Sequence, residues 1–206
     1  MVNRVKLLKY AVLATIFACS PAFAQGPSPW QESYTLESQG KYAQASAVLD
    51  PILRNTPNND FAVMRLAWLN HLQGKNNDAI RDYNKALMLN PQSLEAREGL
   101  SLALMAQQRW KEAEVELKKI TAVSAWDYTA HSRLLVCEEG QHKWDELSKH
   151  AAEIVAHYPS DANSLVFLAR AEAWLGNIKK AKSAYAQVLE RLPAHIEAIA
   201  YLKNNP

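Results

Sequence analysis

Prolines recur along this chain at a fixed distance, and that spacing limits its fold more than any other feature. Pro57 and Pro91 are 34 residues apart, Pro91 and Pro159 are 68 apart, and Pro159 and Pro193 are again 34 apart. Ala45, Ala79, Ala113 and Ala181 fall on the same lattice, with Leu147 in the intervening place. Tyr42, Trp110, Trp144 and Ile178 form another column, in which Asn76 is the polar exception. A fixed period of about 20–50 residues marks a stack of supersecondary units, none of which buries its apolar face alone. The lattice divides the chain into units at 26–59, 60–93, 94–127, 128–161 and 162–195, followed by a remainder at 196–206.

Each unit reads as two helices. Val63, Leu66, Ala67 and Asn70 stand at i, i+3, i+4 and i+7, one face of a helix. Gln73-Gly74-Lys75-Asn76-Asn77 interrupts that pattern. Ala79, Tyr83, Ala86 and Leu87 then repeat the helical spacing up to Asn90-Pro91. Small residues such as Ala67, Ala79 and Ala86 let two helix backbones approach, and Tyr83 and Leu66 fill the space between them. Gly40, Gly74 and Gly176 share one turn column, where a positive φ is often required. Proline after the second helix stops it and bends the chain toward the next unit.

These landmarks resemble the tetratricopeptide repeat, a 34-residue helix-turn-helix unit. Segment 60–93 carries Leu66-Ala67, Gly74, Ala79, Tyr83, Ala86 and Pro91 in register, and segment 162–195 carries Leu168-Ala169, Gly176, Ala181, Tyr185 and Pro193. Segment 94–127 departs by placing Ala125 where proline is expected, and segment 128–161 departs at Leu135, Glu138 and Leu147. The first unit opens weakly, with Pro27 and Pro29 near its start. The resemblance implies an all-α, right-handed α-solenoid of five helix-turn-helix repeats plus a C-terminal capping helix at 196–206. In that helix Ile199 and Leu202 are expected to face the core of the fifth unit.

Residues 1–24 read as a signal peptide rather than as part of the fold. They hold Arg4, Lys6 and Lys9, no acidic residue, an apolar run from Tyr10 to Ala18, and Ala22-Phe23-Ala24 before Gln25. Cleavage after Ala24 predicts a periplasmic or secreted product. An alternative is a lipid-anchored outer-membrane assembly lipoprotein, with Ile16-Phe17-Ala18-Cys19 as the lipidation box; Phe17 fits that box poorly. Removing residues 1–24 changes 23 basic against 21 acidic residues to 20 against 21. That balance opposes nucleic-acid binding, which draws its affinity from clustered lysine and arginine. No remaining stretch is apolar enough to span a bilayer, and Cys137 stands alone, without an internal disulfide partner.

In the resembled fold the first helices line a concave groove. The stripe left free there is Trp30, Tyr34 and Glu37 in the first unit, and Phe61, Met64, Trp68 and His71 in the second. It continues as Glu95, Glu98, Leu102 and Met105, then Thr129, Ser132, Val136 and Glu139, and finally Asn163, Val166, Arg170 and Ala173 beside Trp174. Its N-terminal half is aromatic and apolar, the character of a protein-interaction surface. The candidate partner-binding residues are therefore Trp30, Tyr34, Phe61, Met64, Trp68, His71, Glu98, Leu102, Met105, Val136, Glu139, Val166 and Arg170. The competing reading packs the apolar members against neighbouring repeats. Members of the family that clamp a C-terminal carboxylate do so with lysine and asparagine on this stripe, which holds Trp30, Tyr34, Met64 and Trp68 here.

Nothing in the sequence supports catalysis. It contains no H-E-x-x-H, G-x-S-x-G, Walker loop or G-x-G-x-x-G. His142, His150 and His157 cluster in the fourth unit, with Glu146 and Glu153 four residues before the last two, a spacing that describes surface charge pairs more readily than a metal site. No cofactor is expected. Trp110 and Trp144 read as packing residues and Cys137 as a buried, inert thiol. Trp126 sits where the third unit lost its proline and marks either an altered bend or a second contact site. The function expected is a non-catalytic scaffold or adaptor that holds a protein or peptide segment. The resemblance to exported members adds envelope assembly or biogenesis: secretion, polysaccharide export, or pilus or cytochrome maturation.

Overall fold

The computed structural model describes residues 26–206; the expected signal segment 1–24 and Cys19 lie outside them. Twelve helices and no strands make up the described residues. The first unit contains α1 (Pro29–Ser38), α2 (Tyr42–Ala47) and α3 (Asp50–Asn55). Helix pairs follow in the next four units: α4 (Asp60–Leu72) with α5 (Asn76–Leu89), α6 (Leu94–Ala106) with α7 (Trp110–Val123), α8 (Tyr128–Gly140) with α9 (Trp144–His157), and α10 (Ala162–Trp174) with α11 (Ile178–Arg191). A last helix, α12 (Ile196–Asn204), packs on α11. From α3 onward each helix packs on the next along the chain, α2 packs on α1 and α4, and first helices also meet across neighbouring units, α4 with α6 and α8 with α10. This is an all-α helical-repeat array.

Local chemistry repeats with the same period as the prolines. Asn59, Ser93, Asp127, Asp161 and His195 are all N-caps, and each side chain accepts from a backbone N–H at the start of its helix. Such a cap satisfies one of the amides a helix start leaves unpaired, and is typically worth about 1 kcal/mol. At the other end of each first helix, one residue turns left-handed: Gly40, Gly74, Gln108, His142 and Gly176, all with positive φ. The turn returns two amides to the helix, for instance Gly74 N–H to His71 and Lys75 N–H to Asn70.

The alanine column lies where two helices cross closely. Ala45, Ala79, Ala113, Leu147 and Ala181 have no solvent exposure, nor does Ala67. Tyr83 and Tyr185 fill the space beside them. The first unit differs, because its second helix is split at Val48-Leu49 into α2 and α3. Pro51 accounts for the break: it supplies no N–H for the carbonyl of Ala47, and its ring crowds that carbonyl. The turn at Ala125 keeps the geometry of the proline-bearing turns. Asp127 N–H reaches Ser124 O at 3.1 Å, as Asn59 reaches Thr56 and Asp161 reaches Tyr158. The missing proline therefore leaves no altered bend.

The end of the array corrects one expectation. Ala198 is buried, and Tyr201 and Leu202 pack against the fifth unit, but Ile199 is half exposed and Ile196 largely so. Position 199 lies one period after Leu165, which is buried in its own helix pair. In the described residues Ile199 has no second helix to pack against.

Candidate functional site

A groove of about 370 Å³ opens along the first helices of the first four units. Its lining includes Tyr34 and Glu37 from α1, Phe61, Met64, Arg65 and Trp68 from α4, Glu95, Glu98, Gly99 and Leu102 from α6, and Arg133 from α8. The 3.6-residue repeat puts 61, 64, 65 and 68 on adjoining rows of α4. Ala62 and Leu69 point into the packing on one side of these rows, and Val63 and Ala67 into that on the other. One residue comes from a second helix: Tyr83 of α5, whose ring end lies over Gly99. A β-carbon at position 99 would stand 2.1 Å from that ring, so only glycine lets the phenol reach the groove.

The floor is charged and partly neutralised. Arg65, 5% exposed, pairs with Glu37 and donates to Ser33 Oγ at 3.2 and 3.3 Å. Its guanidinium also lies 3.8 Å from the centre of the Tyr34 ring. Trp68 donates its indole N–H to Glu37 Oε1 at 2.7 Å. Arg133 donates to the Glu98 carbonyl at 3.2 Å and stands 3.9 Å from the Glu98 carboxylate. Burial pulls the Arg133 pKa below its ordinary value, and Glu98 works against that. Burial, aided by Glu95, pushes the Tyr83 phenol well above the usual tyrosine range, so it stays protonated. Glu95 forms no ion pair among the described residues.

Of the thirteen residues the sequence singled out, Tyr34, Phe61, Met64, Trp68, Glu98 and Leu102 come together in this groove. The others do not. Trp30 packs on the Ala45–Leu49–Leu69 cluster and against Phe61, ring centres 5.0 Å apart. His71 bonds Asn76 at 2.9 Å, and Met105 packs against the core. Val136 is half-buried outside the groove. Val166 is a core residue at 7% exposure, because its row of α10 faces packing rather than solvent. Glu139 and Arg170 pair with each other at 3.2 Å, and Arg170 also grips Glu197. Arg65, Tyr83, Gly99 and Arg133 were missed: Tyr83 stands in the packing row of its helix, and Arg65, Gly99 and Arg133 share one 34-residue column that lies between the packing face and the free stripe.

The histidines are engaged otherwise than their spacing suggested. His150 Nδ1 lies 2.9 Å from Glu138 and its Nε2 lies 2.8 Å from His131, whose other nitrogen meets the Ala125 carbonyl at 2.9 Å. His157 stacks on Trp126, ring centres 3.8 Å apart. Neither histidine pairs with Glu146 or Glu153 among the described residues. Among the described residues, no group of three or more acidic, histidine or cysteine side chains is placed to hold a metal ion, and no helix is long and apolar enough to cross a membrane. Cys137 is fully buried, and that burial pushes its thiol up to about 12.

Stacked helix pairs with a shared groove along the first helices define a helical-repeat module. Two tetratricopeptide-repeat profiles match the sequence, one over residues 31–87 and one over 70–134. The chain belongs to the tetratricopeptide-repeat family. No curated protein matches the sequence significantly. Among solved structures, YrrB, described as a TPR protein with an unusual peptide-binding site, is 18% identical with a TM-score of 0.74; the match covers 85% of this chain and 90% of YrrB. MamA from Desulfovibrio magneticus RS-1 is 18% identical with a TM-score of 0.74, over 80% of this chain and 93% of its own. PilW, described as a widely conserved type IV pilus biogenesis factor, is 19% identical with a TM-score of 0.69, over 85% of both chains. These likenesses concern the fold.

Proposed function

We propose that this protein is a non-catalytic scaffold that holds a protein or peptide segment in the groove of its first four units. The observation that carries this reading is the groove itself: Phe61, Met64, Trp68 and Leu102 present apolar side chains around a charged floor. Phe61 is 41% exposed, and apolar surface rimmed by polar groups is what protein partners cover. Because the helices on either side are packed and capped, the groove is preformed and little of the ordering cost falls on it. A fold shared with a protein described as having a peptide-binding site supports the same reading.

We place the protein in the periplasm or outside the cell, on the strength of residues 1–24, and assign it to envelope assembly or biogenesis. The fold shared with a pilus biogenesis factor is in keeping with that assignment. Site-specific photo-crosslinking in the source bacterium tests both parts. The crosslinker replaces Phe61, with a control at Arg81, which is two-thirds exposed on a second helix. The expected result is one envelope-protein adduct at 61 and none at 81. Adducts only at 81, or only with cytoplasmic proteins, contradict the proposal.

A further inference from the structure

The molecule contains a second version of the groove's polar cluster, in which every partner is present. Glu37, Trp68, Tyr83 and Glu95 each stand 102 residues, three repeat periods, before Glu139, Arg170, Tyr185 and Glu197. In the later set Arg170 holds Glu197 through Nε at 2.9 Å and Nη2 at 2.6 Å, and reaches Glu139 at 3.2 Å. Tyr185 donates its hydroxyl to the same Glu197 carboxylate at 2.6 Å. A guanidinium therefore bridges two carboxylates, and a buried phenol completes the hydrogen bonding of one of them.

In the earlier set three of the four residues are the same, and Trp68 replaces the arginine. An indole has a single N–H, and Trp68 gives it to Glu37. Glu95 is left exposed without an ion pair, and the Tyr83 hydroxyl makes no hydrogen bond among the described residues, although Tyr83 is only 2% exposed and lines the groove. Its ring is packed, but its hydroxyl opens on the groove and is free to donate to a group bound there. The charges agree: Glu37 and Arg65 cancel, and Glu95 and Glu98 outnumber Arg133 by one.

We propose that this end of the groove is a subsite for an arginine side chain of the bound segment. Resting on the groove reading above, the proposal names what the groove selects. The incoming guanidinium takes the place that Arg170 fills in the later set. Glu95 accepts its N–H pair and turns under the Tyr83 hydroxyl, as Glu197 does under Tyr185. The indole face of Trp68 supplies a surface for the planar cation, and neighbouring apolar side chains of the segment lie against Phe61, Met64 and Leu102.

The test is selection of random twelve-residue peptides displayed on phage against the protein, followed by affinities of one selected peptide. Arginine is expected to be enriched at one aligned position. Replacing it by citrulline, which keeps the shape and loses the charge, is expected to weaken binding about 10-fold or more, the usual worth of a charge-assisted hydrogen bond. Glu95→Gln, at an exposed position with no ion-pair partner, should leave the helical spectrum intact. It should cause the same loss for the arginine peptide and no further loss for the citrulline peptide. Peptides that bind without arginine, that prefer lysine, or that lose affinity equally to citrulline in both protein forms overturn the subsite and leave the groove reading standing. If Phe61→Glu has no effect on any selected peptide, both readings fail.

Discussion

Replacing Gln108 by glycine should stabilise this protein although it adds no contact. The turn after each first helix passes through one left-handed residue: glycine at 40, 74 and 176, but Gln108 and His142, both at φ 57°, in the other two units. An L side chain held there costs about 1–2 kcal/mol, whereas the extra freedom of glycine in the unfolded chain costs about 0.5–1 kcal/mol. The Gln108 side chain is exposed and makes no hydrogen bond among the described residues, so nothing offsets the difference. The expected net gain is about 0.5–1 kcal/mol. His142→Gly should come out near neutral, because it also loses a ring contact with Trp144, centres 5.4 Å apart. Gly74→Ala is the reverse case: an added β-carbon there meets nothing within 4 Å, so its loss of about 1 kcal/mol is purely conformational. Urea unfolding followed by circular dichroism should rank the midpoints with Gln108→Gly highest, wild type and His142→Gly together, and Gly74→Ala lowest. A lower midpoint for Gln108→Gly, or an unchanged one for Gly74→Ala, would refute the reasoning.

Three further outcomes are expected. Gly99→Ala should destabilise by about 1–3 kcal/mol, because its β-carbon meets the Tyr83 ring at 2.1 Å in a packed site; a wild-type melting curve would contradict that contact. Burial alone would raise the Glu114 carboxyl, but hydrogen bonds from Lys118, Lys143 and Gln141 outweigh it and hold the group at about 2, below its ordinary 4.5. Its stabilising effect is thus complete above pH 4.5 and lost as pH falls toward 2, and Glu114→Gln should flatten the acid limb of a stability–pH curve. Cys137 should resist Ellman's reagent in the native protein and react on unfolding in urea; rapid labelling without denaturant would place it nearer the surface.

Much of the fold was legible because it depends on residues that recur. Prolines, alanines and turn glycines act through local geometry, so their spacing reports the helix pairs directly. The N-cap column at 59, 93, 127, 161 and 195 was equally legible by type in its first four members; its last member, His195, is not a usual cap. Pro51 is the signal that the two-helix reading of the first unit left unused, and it divides that unit's second helix. The groove was legible only in part. Periodicity finds the row holding Phe61, Met64 and Trp68, assigns Tyr83 to a packing row and leaves position 65 between the two. Both residues are buried, while the guanidinium of one and the hydroxyl of the other reach the groove floor. Val166 and Arg170 failed as groove residues for the converse reason: neighbours from other units, Glu139 and Glu197 among them, occupy the space those rows face. Spacing within one helix carries no record of such neighbours.

The central claim is that the first helices, not the second, carry the partner. Hydrogen–deuterium exchange on the protein with and without a segment captured at position 61 tests it most directly. The account predicts new protection in 61–68 and 95–102, with the backbones of α5 and α7 unchanged. Protection confined to α5 and α7 would contradict it.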